Sequence, residues 1–221
     1  MSYYPVFLDI KDREVLIVGG GRVAQRKAAT LLGFGARVRV VSRKLTRELE
    51  HLVDEGLVEW MGPEFSEESL GGVFLVIAAT DDADLNHQVS QAAEKRGVLV
   101  NAVDQPQDCS FIVPSIVRRG DLMLAVSTSG KSPALAKKIR GELESRFCDE
   151  YGTYLELLGR IRKKLLCLDL GPDQRGEIFK ALVDSDLFDL VRQNDWEGAR
   201  STLEKLLPRS VDIEDLSGLF R

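Results

Sequence analysis

The sequence predicts an α/β fold in which a parallel sheet is followed by a small hairpin-plus-helix segment and an all-α C-terminal region. Three observations carry this expectation. Short continuous runs of Val, Ile and Leu alternate with amphipathic helical patterns through the first half of the chain, as in a parallel sheet covered on both faces. Two extended stretches around Gly120 are then separated by a connection too short for a parallel crossover. From Pro133 to the last of the 221 residues the apolar spacing is helical.

The first run, Glu14–Val18, leads directly into Gly19-Gly20-Gly21-Arg22-Val23-Ala24. A strand, a glycine-rich turn and a helix in this order form a dinucleotide-binding fingerprint of the G-x-G-x-x-G/A type. Gly19 permits the tight turn, and Gly21 removes a side chain where a pyrophosphate would approach the backbone. Ala24 keeps the helix close to the strand. The unpaired N–H groups and positive dipole end of the helix then face the anion. Gly19, Gly20 and Gly21 are therefore candidate cofactor-binding residues. Val23, Ala24, Ala28, Leu31 and Leu32 line one helix face, Gly33 and Gly35 stop the helix, and a second strand over Arg37–Val41 completes a Rossmann-like βαβ unit.

Further strands are expected near Leu57–Trp60, at Val73–Ala79 and at Val98–Val103. Between the last two, Ala83–Arg96 reads as a helix with Leu85, Val89 and Ala93 on one face, ending at Gly97. The stretches Phe111–Val117 and Asp121–Ser127 then read as an antiparallel hairpin turning at Arg118-Arg119-Gly120. Two strands alone are marginal in water, and pairing with a second copy of the chain is one solution. Ser127-Thr-Ser-Gly-Lys-Ser-Pro133 reads as a hydroxyl-rich helix start with Pro133 in the first turn. Leu135, Ile139, Leu143 and Phe147 fall on one stripe, and helices follow at Tyr154–Leu166, Arg175–Val183 and Trp196–Leu207. The expected organisation is a cofactor domain over 1–110, a dimerisation segment over 111–148 and a helical domain over 149–221.

Composition excludes several classes. A hydrophobic content of 44% with 29% charged residues is that of an ordinary globular protein. No apolar run approaches the ~20 residues needed to cross a bilayer. The start, Met1-Ser-Tyr-Tyr-Pro5, lacks the basic and apolar regions of a secretory signal, so a cytoplasmic location without a membrane partner is expected. Cys109, Cys148 and Cys167 suggest neither a disulfide framework nor a zinc site. A net charge of -5 argues against general nucleic-acid affinity. The charge is uneven, however: Val117–Lys164 holds 11 Lys and Arg against 6 Asp and Glu. A basic middle suits an anionic ligand, and a solvated helix face accounts for any one of these charges equally well.

Chemistry-bearing residues cluster at the expected strand ends, where open α/β sheets bind ligands. The acidic residue that binds ribose hydroxyls about 20 positions after the glycines is missing. Ser42-Arg43-Lys44 stands there, and its positive charge could accept a 2′-phosphate, leaving NAD and NADP both open. Thr80 follows the Val73–Ala79 strand, placed to contact the cofactor or, with Asp81 and Asp82, to cap the next helix. Asp104 follows the Val98–Val103 strand, so its carboxylate either projects into the cleft near the nicotinamide end or forms a turn. Gly130-Lys131-Ser132 resembles the end of a phosphate loop, but Ala125 occupies the position of the required upstream glycine. Ser127, Thr128 and Ser129 could still hold a carboxylate or phosphate at a helix start. The only histidines, His51 and His87, lie within expected helices, so no metal site and no hydrolytic triad is expected.

Pro5-Val-Phe, Val18–Lys27, Ile77–Asp82, Asn101–Asp104, Cys109–Ser115 and Ser127–Pro133, taken as an ordered set from Pro5 to about Arg146, resemble the precorrin-2 dehydrogenase family, the siroheme-synthase N-terminal module. The helical tail is similar only in general character. The resemblance implies NAD-dependent oxidation of precorrin-2 to sirohydrochlorin in siroheme or cobalamin biosynthesis, by a homodimer built through the middle segment. For some members it also implies insertion of iron or cobalt at the same site. It assigns Asp104 to both activities, Arg22 and Val23 to the pyrophosphate cradle, and Arg43 and Lys44 to the adenosine side. It also favours NAD over NADP. The methyltransferase module of the longer siroheme synthases is expected to be absent. The anionic tetrapyrrole would find countercharge in Arg118, Arg119, Lys131, Lys137 and Lys138, and Asp104 would serve as general base. The contrasting expectation is a dinucleotide-sensing binding module without catalysis.

Overall fold

The computed structural model describes residues 3–220, which divide into two compact units between Val113 and Pro114. In the first unit, strands β1 (Glu14–Val18), β2 (Arg37–Val41), β3 (Val58–Gly62), β4 (Leu75–Ala78) and β5 (Leu99–Ala102) form one sheet in the order β3-β2-β1-β4-β5. Every pairing is parallel. Helices α1 (Arg22–Leu32), α2 (Arg47–Asp54) and α3 (Ala83–Lys95) are the principal crossovers.

The strands read as continuous apolar runs because each face is covered. Val15 and Ile17 of β1 enter a core with Ala24, Ala28 and Leu31 of α1 and Leu49 of α2. Leu16 and Val18 enter the opposite core with Val89, Ala92 and Ala93 of α3. These four apolar side chains of β1 are at most 1% exposed. Burying a side chain of this size stabilises the fold by roughly 1.5–3 kcal/mol. Local capping agrees: Thr46 Oγ1 accepts from Leu49 N at the start of α2, and Asp82 Oδ1 accepts from Asp84 N and Leu85 N at the start of α3. The sheet order places the switch point between β1 and β4, at the edge where all five strands end.

The second unit holds an antiparallel hairpin, β6 (Ser115–Arg119) and β7 (Leu122–Val126), and helices α4 (Pro133–Arg146), α5 (Glu150–Leu166), α6 (Pro172–Val183), α7 (Leu187–Arg192) and α8 (Trp196–Leu206). Tyr154, Leu157, Ile161 and Leu165 of α5 share a core with Leu182, Leu187, Val191, Ala199 and Leu203.

Four expectations need correction here. The hairpin turns at Gly120-Asp121, and Arg118 and Arg119 are strand residues opposite Met123 and Leu122. Gly120 at φ +56 supplies the left-handed conformation that a two-residue turn requires. The Phe111–Pro114 stretch precedes the strand and does not pair. Helix α4 starts at Pro133 with Ser132 as its cap, so Ser127, Thr128 and Ser129 form a preceding turn and are not the helix start. On α4 the covered position is Ala136, whereas Leu135 is 48% exposed, because the hairpin packs only one narrow face of the helix.

Candidate active site

The glycine turn occupies the switch point, and its three glycines do different work. Gly19, at φ +125, is pressed so closely on Ala79 O that no Cβ fits, which brings the β1 end against the β4 end and Thr80. Gly20 is buried, and a Cβ there would strike Lys44 O and the Ser42 hydroxyl. Its carbonyl accepts from Thr46 N at 2.9 Å. The middle glycine therefore seats the loop between β2 and α2. Gly21 is exposed, and a Cβ there would meet nothing within 4 Å.

Gly21 is also the N-cap of α1, with no side-chain cap bond and no acidic residue in the first turn. The amides of Arg22, Val23 and Ala24 belong to the opening turn, which has no intrahelical acceptors to offer them. An uncapped helix start beside open space fits a dinucleotide pyrophosphate through hydrogen bonding and the helix dipole.

Thr80 is held in place by Asn86, which nothing in the glycine or strand-end motifs singles out. Thr80 N and Oγ1 donate to Asn86 Oδ1 at 3.2 and 2.8 Å, and Asn86 Nδ2 donates to Thr80 O at 3.1 Å. Asn86 is 3% exposed. A polar residue at a position of α3 that faces the core was the available signal, since buried amides require partners. The helix cap itself is Asp82.

Asp104 lies just beyond β5 at φ +60, in the left-handed region. Its side chain is exposed and makes no hydrogen bond or ion pair among the described residues. Its turn is tied down on both sides. Gln105 Nε2 donates to Ala83 O at 3.1 Å, and the buried Asp108 carboxylate meets His87 Nδ1 at 2.8 Å. Ser90 Oγ donates to Asp108 O at 2.8 Å. Cys109 Sγ bonds back to Ala102, and burial first, then the Asp108 charge, push its thiol above the ordinary range against an opposing hydrogen bond at Ala102. A strained residue with a free carboxylate on an anchored turn at the ligand edge is suited to proton transfer.

Just beyond β2, Ser42 Oγ donates to Lys44 O at 2.7 Å, and Trp60 Nε1 donates to Ser42 O at 3.1 Å. The Arg43 guanidinium lies 3.1 Å from Glu64 Oε1. In the second unit, Ser127 Oγ accepts from Ser129 N and Thr128 Oγ1 accepts from Ser132 N, so these hydroxyls help to form the turn before α4. Arg119 Nε and Nη2 donate to Phe147 O and Glu144 O, closing the end of α4. Lys131, Lys137 and Lys138 are exposed, as is Arg118, which donates to Gly120 O. Among the described residues no group of three or more His, Cys, Asp or Glu is arranged to hold a metal ion, and no helix is long and apolar enough to cross a membrane.

Known proteins are similar to this chain in sequence and in fold. A family model for NAD(P)-binding matches residues 6–115, and one for the central region of a sirohaem biosynthesis protein matches residues 119–146. The siroheme synthase of Photorhabdus laumondii is 42% identical over 218 residues, which is 99% of this chain and 46% of that protein. That of Zymomonas mobilis is 44% identical over 214 residues, 95% of this chain and 44% of that protein. The chain thus spans less than half the length of these curated relatives. Among solved structures, SirC, a precorrin-2 dehydrogenase, matches with a TM-score of 0.75 at 30% identity, over 92% of this chain and 98% of that one.

Proposed function

Because the chain belongs to the family of siroheme synthases and precorrin-2 dehydrogenases, we propose that it oxidises precorrin-2 to sirohydrochlorin with NAD as hydride acceptor. The observation that carries this reading is the pairing, on one sheet edge, of an open, uncapped glycine turn with the unpartnered carboxylate of Asp104. Each oxidation removes two hydrogens from the tetrapyrrole, one as hydride and one as a proton. A nicotinamide dinucleotide held at the glycine turn would supply the hydride acceptor. Asp104 accepts the proton, and its anchored left-handed turn holds the carboxylate toward solvent-accessible space.

Gly19, Gly21 and the amides of Arg22 and Val23 receive the pyrophosphate. Gly20 and Ser42 shape the loop that carries Arg43 and Lys44 beside the adenosine. Thr80, locked by Asn86, lines the opposite wall of the turn. The carboxylates of precorrin-2 find countercharge in Arg118, Lys131, Lys137 and Lys138, with Ser127, Thr128 and Ser129 offering polar contacts around Lys131. Arg119 contributes mainly by holding α4, since carbonyl oxygens and Asp149 occupy its guanidinium. We also propose a homodimer formed through the hairpin and α4, whose half-exposed strands and uncovered Leu135 gain from a second copy.

The deciding experiment is anaerobic turnover of precorrin-2 with NAD, read as NADH formation, in the wild type, Asp104→Asn and Asp104→Ala. Both variants should lose about 10²-fold or more in kcat while binding NADH within about twofold of the wild type. Undiminished turnover in Asp104→Ala would remove the proton-transfer role.

A further inference from the structure

Two facts about the adenosine corner pull in opposite directions. Ser42 replaces the acid that would bind a ribose 2′-hydroxyl, and Arg43 follows it, an arrangement that by charge alone favours a 2′-phosphate. The Ser42 hydroxyl is turned onto Lys44 O and is not available to compensate. The neighbouring strand supplies what β2 lacks. Ser42 N donates to Gly62 O at 3.0 Å, so the β3 end runs alongside the β2 end, and two residues later Glu64 Oε1 meets the Arg43 guanidinium at 3.1 Å.

The Arg43 and Glu64 side chains are 78% and 73% exposed, so the pair contributes little to folding. Its consequence is electrostatic and local. With Glu64 present, the corner carries two cations, Arg43 and Lys44, and one carboxylate bound to the first. A 2′-phosphate would have to displace that carboxylate and then remain beside it, whereas a 2′-hydroxyl could donate to it. We propose that Glu64 is the residue that selects NAD over NADP, by occupying Arg43 and so denying a 2′-phosphate its countercharge.

This inference rests on the dinucleotide reading of the glycine turn and is independent of precorrin-2. The test titrates NADH and NADPH by their nicotinamide fluorescence against the wild type, Glu64→Gln, Arg43→Ala and the double variant, with thermal unfolding as a control. The wild type should bind NADH more tightly. Glu64→Gln should move the NADPH-to-NADH affinity ratio about tenfold toward NADPH with NADH affinity held within about threefold, and the double variant should lose that gain. A ratio unchanged by Glu64→Gln, a gain that persists without Arg43, or a wild type that already prefers NADPH would each overturn the assignment while leaving the dinucleotide site intact. Binding of neither cofactor would refute the assignment and the dinucleotide reading together.

Discussion

Cys109 Sγ lies 3.2 Å from both the amide nitrogen and the carbonyl oxygen of Ala102, accepting from the first and donating to the second. Ala102 is the last residue of β5, and Asp104 follows two positions later in its left-handed turn. The same sulfur reaches Gln105 O at 3.3 Å, so the thiol ties both flanks of Asp104 to one point. Removing it in Cys109→Ala should lower kcat about tenfold, with NADH affinity little changed, by loosening the carboxylate's position. Cys109→Ser restores a donor and an acceptor and should recover part of the loss. The check is kcat against cofactor affinity in the two variants.

Gly20 and Gly21 should respond oppositely to the same change. Gly20→Ala drives a methyl group into Lys44 O and should destabilise the fold by at least ~2 kcal/mol in urea unfolding. Gly21→Ala meets open space at an ordinary φ of -82, so stability should stay within about 0.5 kcal/mol. Its methyl group obstructs the phosphate approach, and NADH affinity should fall about tenfold or more. Comparable stability losses in both would show that the space over Gly21 is not a ligand cradle.

Asn86 satisfies the backbone N–H, backbone carbonyl and hydroxyl of Thr80 at once. Asn86→Ala strands the N–H and the carbonyl, while the hydroxyl keeps Asp82 O at 2.9 Å, and should cost about 1–3 kcal/mol in chemical denaturation. Asn86→Asp keeps the acceptor but loses the donor to Thr80 O, and should fall between that variant and the wild type.

Alkaline pH should weaken the first unit through Cys109. Burial raises its thiol in the fold, so the native state retains a proton that the unfolded chain releases from about 8.5 upward. The contribution is complete below that pH and is lost as pH rises through the higher folded value. Tyr154, raised chiefly by burial, acts with the same sign in the second unit above about 10. Urea unfolding at pH 8 and 9.5 should show a smaller loss for Cys109→Ser than for the wild type, because serine does not titrate there.

The sequence by itself determined the strands of the parallel sheet, the glycine turn, the position of Asp104 at a strand end and the helical character of the C-terminal region. Those features rest on apolar periodicity and on residues whose backbone freedom or size is rare, and both are properties of short segments. The ordered motifs from Pro5 to Arg146 also carried the family. Tertiary structure alone decided which residues meet across the fold. Gly20 reads as one more cofactor glycine until Lys44, from a loop beyond β2, is seen to fill the space against it. Arg119 reads as a surface cation in a turn until the end of α4 arrives to occupy its guanidinium. Arg43 reads as a phosphate ligand until β3, pairing alongside β2, delivers Glu64 to it. In each case the partner lies well apart in the chain, and a side chain's charge or size acquires its role only from the group that packing sets against it.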